Sequence, residues 1–362
     1  MRKLLVIIAL AFVASLPLAA QQVEWSLDAN FMLNNREGGN DEAIDQTFFF
    51  TRLAPEVGVS FLDGEHLLKG GVSWYQPMFD NLSEYKIVPT IYYRFRHPSN
   101  GFSMALGWVP RTMMVRKMPT YLWSDSLNYT NPNIRGGIAQ LVKPNGFAEI
   151  FIDWRQIRTD NKREAFMAAL NTEWRVAGPL HAGGHIQYSH LAKSYANNEG
   201  QAVNDDVNIN PMLALDFSHR TALDSLRIAA GAIYQLEHDR NETSWRQAAG
   251  FVLSGVARWR WLEVEETLYA GKELYPLYPR FNSRLVLGDP YYRAKVYSRT
   301  DINAHIAQNR FMDLSIGVSL HANSSCFGFW QQLSCRFYID NLLWRNRHDK
   351  NYLRNGKLRN NL

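Results

Sequence analysis

The chain has 362 residues, 46% hydrophobic and 20% charged, with a formal net charge of +5. Arg2 and Lys3 near the start and a basic tail (Arg345, Arg347, Lys350, Arg354, Lys357 and Arg359) carry that excess, so the body is close to neutral and a nucleic-acid surface is excluded. Beyond residues 4–16 no apolar run approaches the ~18 residues of a membrane helix, so no helical span is expected.

Residues 1–20 have the pattern of a secretory signal: a basic start, a short apolar run, and Leu18-Ala19-Ala20 before a cut at Gln21. The mature chain is then expected to divide into a body, 21–344, and a basic periplasmic tail, 345–362. No Cys stands at the cut, which argues against a lipoprotein anchor.

Along the body, segments of alternating apolar and polar residues predict strands at 23–33, 47–61, 66–76, 87–96 and 102–111. A long loop, 112–134, follows. Further strands are predicted at 135–142, 147–156, 163–176, 180–193, 208–219, 226–237, 245–259 and 262–271. After a long loop at 272–290 come 291–306, 310–321 and 332–344. The segment 291–306 shows the pattern best. Tyr292, Ala294, Val296, Ile302, Ala304 and Ile306 share one face, and Arg293, Lys295, Arg299, Asp301, Asn303 and His305 share the other.

Strands in soluble domains average about 5–6 residues, whereas a tilted membrane-crossing strand needs about 9–11 in the hydrocarbon. The connections also alternate, long and polar after odd strands, short after even ones. This alternation is the mark of a barrel with short periplasmic turns and long extracellular loops. In the strand 245–259, Trp245 and Trp259 stand at the two ends of one apolar face, as interfacial aromatics do. The fold expected is all-β, a transmembrane antiparallel up-and-down β-barrel of about sixteen strands, with fourteen to eighteen as bounds. At that size the charged inner face lines water rather than a packed core.

Tyr92-Tyr93-Arg94, Leu106-Gly107-Trp108-Val109-Pro110-Arg111, Phe151-Ile152-Asp153-Trp154, Arg163-Glu164-Ala165-Phe166, and Tyr292-Arg293-Ala294 with Thr300-Asp301 complete the pattern. With these segments in place the chain resembles a porin-like outer-membrane β-barrel protein of the Bacteroidota type. The resemblance implies an outer membrane, passive diffusion of small hydrophilic solutes, and contact with outer-membrane lipid; it leaves a homo-oligomer open. One departure is the C-terminus, where a basic tail stands in place of a final aromatic residue.

General porins that the chain resembles often fold an early long loop into the channel. On that reading 112–134 narrows the pore, and the pore-lining set is Arg94, Arg96, Arg111, Arg116, Lys117, Asp125, Asp153, Arg155, Arg293, Arg299 and Asp301, with an anion preference. The alternative is an external loop packed on its neighbours. Cys326 and Cys335 flank CFGFWQQLSC, and export permits a disulfide at the base of that loop, with two free thiols as the other reading.

Metal and catalytic patterns are weak. His181 and His185 would lie ~13 Å apart along a strand, too far to share an ion. Asn204-Asp205-Asp206, in an expected outer loop, reads as solvated polar sequence. There is no G-x-S-x-G, phosphate loop or H-E-x-x-H, and Asp216, Ser218 and His219 divide between two faces. No cofactor and no enzyme are therefore expected. A structural or binding barrel with an occluded lumen is the alternative to the channel, and an outer-membrane hydrolase stands behind both.

Overall fold

The computed structural model describes residues 22–38, 46–78, 85–196, 201–324 and 326–345. The expected signal segment and most of the basic tail lie outside the described residues. Sixteen strands follow one another: β1 Gln22–Gly38, β2 Gln46–Phe61, β3 His66–Pro77, β4 Lys86–Arg96, β5 Phe102–Pro110, β6 Asn133–Lys143, β7 Gly146–Gln156 and β8 Ala165–Ala177. The second half comprises β9 Leu180–Leu191, β10 Asn204–Asp216, β11 Ser225–Asp239, β12 Arg246–Trp259, β13 Leu262–Gly271, β14 Val296–Gln308, β15 Met312–Asn323 and β16 Phe327–Asp340. Each strand pairs antiparallel with its sequence neighbours, and β1 pairs with β16, so the sheet closes on itself. No helix among the described residues is long and apolar enough to cross a membrane.

Closure satisfies every backbone ladder and removes sheet edges, which is what lets strands sit in hydrocarbon. Side chains follow the same logic turned inside out. Along β1, Asp28, Asn30, Asn34 and Arg36 are buried facing the lumen. On the outer wall Ile91, Ile150, Leu213, Phe251, Val296 and Ile306 are exposed. A wall of bare aliphatic side chains this extensive would drive association in water, whereas in a bilayer it is the favourable surface. At the seam, Asp28 pairs with Arg52 of β2 at 2.7 Å and with Arg336 of β16 at 3.2 Å, clasping three strands.

The lumen is filled rather than open at its long-loop end. The connections after β5 and after β13 both turn inward and, with wall residues such as Phe151 and Met167, build an apolar cluster. Met114, Met118, Tyr121, Leu122 and Trp123 from the first pack with Leu274, Tyr275, Leu285, Leu287 and Tyr292 from the second. They are stitched together by Ser124 N–H donating to Leu287 O (2.7 Å), Asp289 N–H to Thr120 O (2.8 Å), and Tyr275 Oη–H to Tyr121 O. The wall holds this plug through its own side chains. Glu149 accepts from Val115 N–H at 2.7 Å, Gln235 from Tyr275 N–H at 2.7 Å, and Glu237 from Leu277 N–H at 2.5 Å.

Three sequence expectations change. β14 begins at Val296, not 291, because Tyr291 and Tyr292 belong to a 3-10 turn (Pro290–Arg293) packed in the plug. β10 begins at Asn204, so Asn204-Asp205-Asp206 is strand rather than loop. CFGFWQQLSC is strand from Phe327 on, the first part of β16, with Cys326 immediately before it, and Cys326 and Cys335 are free. Nine steps of strand place them ~30 Å apart, far beyond the ~7 Å Cα separation a disulfide spans.

Candidate functional site

The lumen-facing charges expected to line a pore are mostly neutralised by one another. Arg111 pairs with Asp153, which Arg135 also approaches at 3.7 Å. Arg116 meets Glu173 at 2.5 Å, and Arg227 of β11 meets the same carboxylate at 2.6 Å. Lys117 and Arg299 both hold Asp125, at 2.7 and 2.6 Å, and Arg299 also holds Asp301 at 2.7 Å. Arg155 donates to the carbonyls of Ser283 and Arg284, and Arg293 lies over the Tyr278 ring, so both serve the plug. Arg94 and Arg96 sit at the short-turn end of β4, away from this network. Beneath the plug a cavity of about 240 Å³ remains, lined by Arg116, Glu173, His185, Arg227, Arg299 and Asp301 among others.

A different set of residues stands out on the other side of the wall. Trp154 of β7 opposes Phe166 of β8, Phe166 opposes His190 of β9, His190 opposes Asp205 of β10, and Asp205 opposes His238 of β11. Strand alternation puts this row on the same face as exposed Ile152, Ile186, Ile209 and Tyr234, so it lies on the outer wall. Every member is at the long-loop end of its strand. The row therefore marks the height where the apolar band gives way to the loops.

Its centre is an acid–base cluster. His190 Nδ1 lies 2.8 Å from Asp205 Oδ1, and the Tyr188 hydroxyl donates to the same oxygen at 2.7 Å. Arg240 donates to Asp205 through Nε at 2.7 Å and Nη2 at 3.2 Å. The Asp205 side chain is 5% exposed and that of His190 16%, whereas Arg240 is half exposed. A carboxylate beside Nδ1 fixes the proton there, so the lone pair of the neutral ring is at Nε2. Among the described residues nothing bonds Nε2. An imidazole oriented by a buried carboxylate, with its second nitrogen free, has the arrangement needed to act as a general base. Aromatic rings flank it, with Phe166 5.0 Å from the His190 ring and Trp154 stacked on Phe166 at 4.9 Å.

The family described as lipid A 3'-O-deacylase-type matches residues 16–346.

The chain belongs to the lipid A 3'-O-deacylase-type family.

This membership overturns two expectations, the passive-diffusion channel and the absence of enzymatic activity. The hydrolase kept behind them is the reading that agrees with it. The error has a physical origin, since the long barrel strands of a deacylase-type protein and of a porin obey the same bilayer, and the sequence pattern reports the bilayer. Among solved structures the chain is similar to an anion-selective porin from Comamonas acidovorans, at 11% identity and a TM-score of 0.52, covering 88% of this chain and 99% of that one. It is also similar to a loop L8 deletion mutant of OmpT from Vibrio cholerae, at 10% identity and a TM-score of 0.53, covering 88% and 100%. At these identities the likeness shows the fold alone, that of outer-membrane barrels. No curated protein sequence matches the chain.

The sequence does contain a signal for the rim cluster. His190 and Asp205 occupy the outward phase of β9 and β10, in line with Ile186 and Ile209, so alternation alone puts both on the lipid-facing side. Asp216, Ser218 and His219 instead form a turn. Asp216 accepts from Ser218 N–H at 2.9 Å, and His219 adopts φ 60° without bonding either. No group of three or more metal-ligating side chains occurs among the described residues.

Proposed function

We propose that the protein hydrolyses an acyl ester of a lipid lying in the outer leaflet of the outer membrane, with lipid A as the substrate that the family name points to. The observation that carries this is the position of the His190–Asp205 pair, on the lipid-facing side of the wall and at its long-loop rim. Ester carbonyls of a membrane lipid lie at the boundary between headgroup and acyl chain. A site on the outer wall at that height meets them without extracting the lipid, whereas the lumen lies behind the barrel wall.

The chemistry needs one base and one stabilised charge. His190 Nε2 takes a proton from a water molecule as its oxygen attacks the ester carbonyl, and Asp205 stabilises the imidazolium that forms. The tetrahedral oxyanion collapses, the ester C–O bond breaks, and the imidazolium returns the proton to the leaving alkoxide. The products are a free fatty acid and an alcohol on the sugar. Arg240, half exposed and anchored on Asp205, supplies positive charge beside the reacting carbonyl. Ser194, four residues past His190, is the nearest serine in sequence beyond the strand, but its hydroxyl donates to Gln201 Oε1 at 3.0 Å. Water is therefore the nucleophile in this reading.

The test is release of fatty acid from lipid A in vesicles containing the purified protein, read by mass spectrometry. Wild type is expected to remove an ester-linked chain and His190→Ala to leave the lipid intact. Full activity in His190→Ala would sink the assignment of this site.

A further inference from the structure

On the opposite side of the barrel from His190, at the seam of β1 and β16, lies a second concentration of unsatisfied chemistry. Arg36 is 8% exposed. Its guanidinium lies 4.0 Å from the centre of the Trp330 ring and 4.4 Å from that of Phe48. Among the described residues it has no carboxylate partner, and its buried Nε makes no hydrogen bond. A buried arginine held between aromatic faces with no counter-ion is expensive, because desolvation is not repaid by pairing.

The groups around it are short of acceptors. Arg299, 5.7 Å from the same indole, leaves Nη1 without a partner although its other nitrogens hold Asp125 and Asp301. Trp330 Nε1 and the Tyr291 hydroxyl lie near one another without closing a hydrogen bond. His321, stacked 3.9 Å from Trp330, has Nδ1 2.6 Å from the Tyr297 hydroxyl and a buried Nε2 with no partner. If Tyr297 donates to Nδ1, Nε2 carries the proton and is a further donor. Four buried donors thus lie around one indole, whose own N–H is the fifth. Lys117, Asp125, Arg299 and Asp301 neutralise one another, which leaves Asp289 as the acid nearest in charge to Arg36, and no ion pair joins them.

We propose that Arg36, Arg299, Trp330, Tyr291 and His321 form a binding site for a small oxyanion, a phosphate or carboxylate group, at the long-loop mouth of the lumen. A planar guanidinium matches such a group with two parallel donors, and the stacked rings hold it in place before the ligand arrives. The site is independent of ester hydrolysis, since β1 and β9 are half a barrel apart in strand order. The anion is either free in solution or borne by a lipid headgroup reaching over the rim.

Inorganic phosphate is the probe. Detergent-solubilised wild type at fixed ionic strength is expected to show a saturable rise in melting temperature with phosphate. The rise is expected to be lost in Arg36→Gln, reduced in Trp330→Phe, and kept in Arg240→Gln at the other rim. An equal rise with chloride, or in Arg36→Gln, overturns the proposal. If Arg36→Gln does not fold, the phosphorus NMR line of phosphate is followed with wild type and with Arg36→Lys, which keeps the charge but not the fork. Line broadening that saturates and is weaker in Arg36→Lys supports the site, and an unchanged line overturns it. Repeating the melt in phosphatidylglycerol and phosphatidylcholine vesicles separates the sources. Stabilisation by the anionic lipid without added phosphate assigns the headgroup, and stabilisation by phosphate alone assigns the free anion.

Discussion

His190 and Asp205 are opposed in the β9–β10 ladder and joined by a 2.8 Å hydrogen bond on the outside of the barrel wall. Asp205 also accepts from Tyr188 and Arg240, so its orientation is set by three donors from three directions. Asp205→Asn is expected to keep the barrel folded and to lower ester hydrolysis by roughly 10²–10⁴-fold, the range a positioned base supplies. Turnover of lipid A in vesicles measures it. Activity within a few-fold of wild type would remove Asp205 from the mechanism.

Ser194→Ala separates two nucleophiles. With its hydroxyl committed to Gln201, Ser194 is expected to be dispensable, and the variant is expected to retain most of the activity. Loss as deep as that of His190→Ala, together with an acylated wild-type enzyme in the mass spectrum, would assign the nucleophile to Ser194 instead of water.

The plug depends on wall side chains that satisfy its backbone. Gln235→Ala leaves Tyr275 N–H without its 2.7 Å acceptor in a buried site, which costs about 1–3 kcal/mol. Because the strand ladder is untouched, the loss is expected in the loop alone. Faster hydrogen exchange or proteolysis within 272–295, with an unchanged heat-dependent gel shift of the barrel, is the expected result. Uniform loosening of the whole barrel would contradict it.

Asp289 makes plug stability depend on pH. Burial raises its carboxyl from an ordinary 3.8 to about 6, against the opposing pull of Arg299 and Arg36 and with Asp125 adding to the rise. The folded plug therefore binds the proton more tightly than the unfolded loop does. Between about pH 4 and 6 stability falls as pH rises, by an amount on the order of 2–3 kcal/mol when complete. Asp289→Asn is expected to flatten that dependence and to slow exchange in 285–295 at pH 8. A slope unchanged in the variant would assign the effect to another group.

Cys326 and Cys335 are free, Cys335 within β16 and Cys326 immediately before it. Alkylation after unfolding without reductant is expected to label both thiols, and reductant is expected to leave the melting temperature unchanged. A single or absent label would contradict the strand assignment of 327–335.

The barrel was legible because the bilayer imposes its demands on every strand. Alternation along 296–306 and the membrane-spanning length of the strands follow from local sequence and survive in the structure, whereas the long–short rhythm of connections breaks after β15, where only a short connection separates Asn323 from Phe327. The exceptions are instructive. Tyr291 and Tyr292 continue the alternating pattern of β14, yet they leave the wall because the plug offers them burial among Tyr121, Tyr269 and Tyr297. CFGFWQQLSC looks like a loop fastened at its ends, yet Trp330 and its neighbours pair in register with β1 and β15.

By itself the sequence determined a membrane barrel of about sixteen strands, since alternation and segment length answer directly to hydrocarbon thickness, and the structure fixed the count at sixteen. It did not determine what the barrel does. His190 and Asp205 are fifteen residues apart, and Arg36 and Trp330 stand near opposite ends of the chain. Only strand register decides that the first pair meets on the lipid side of the wall and the second inside the lumen, because a shift of one residue would send each side chain to the other face.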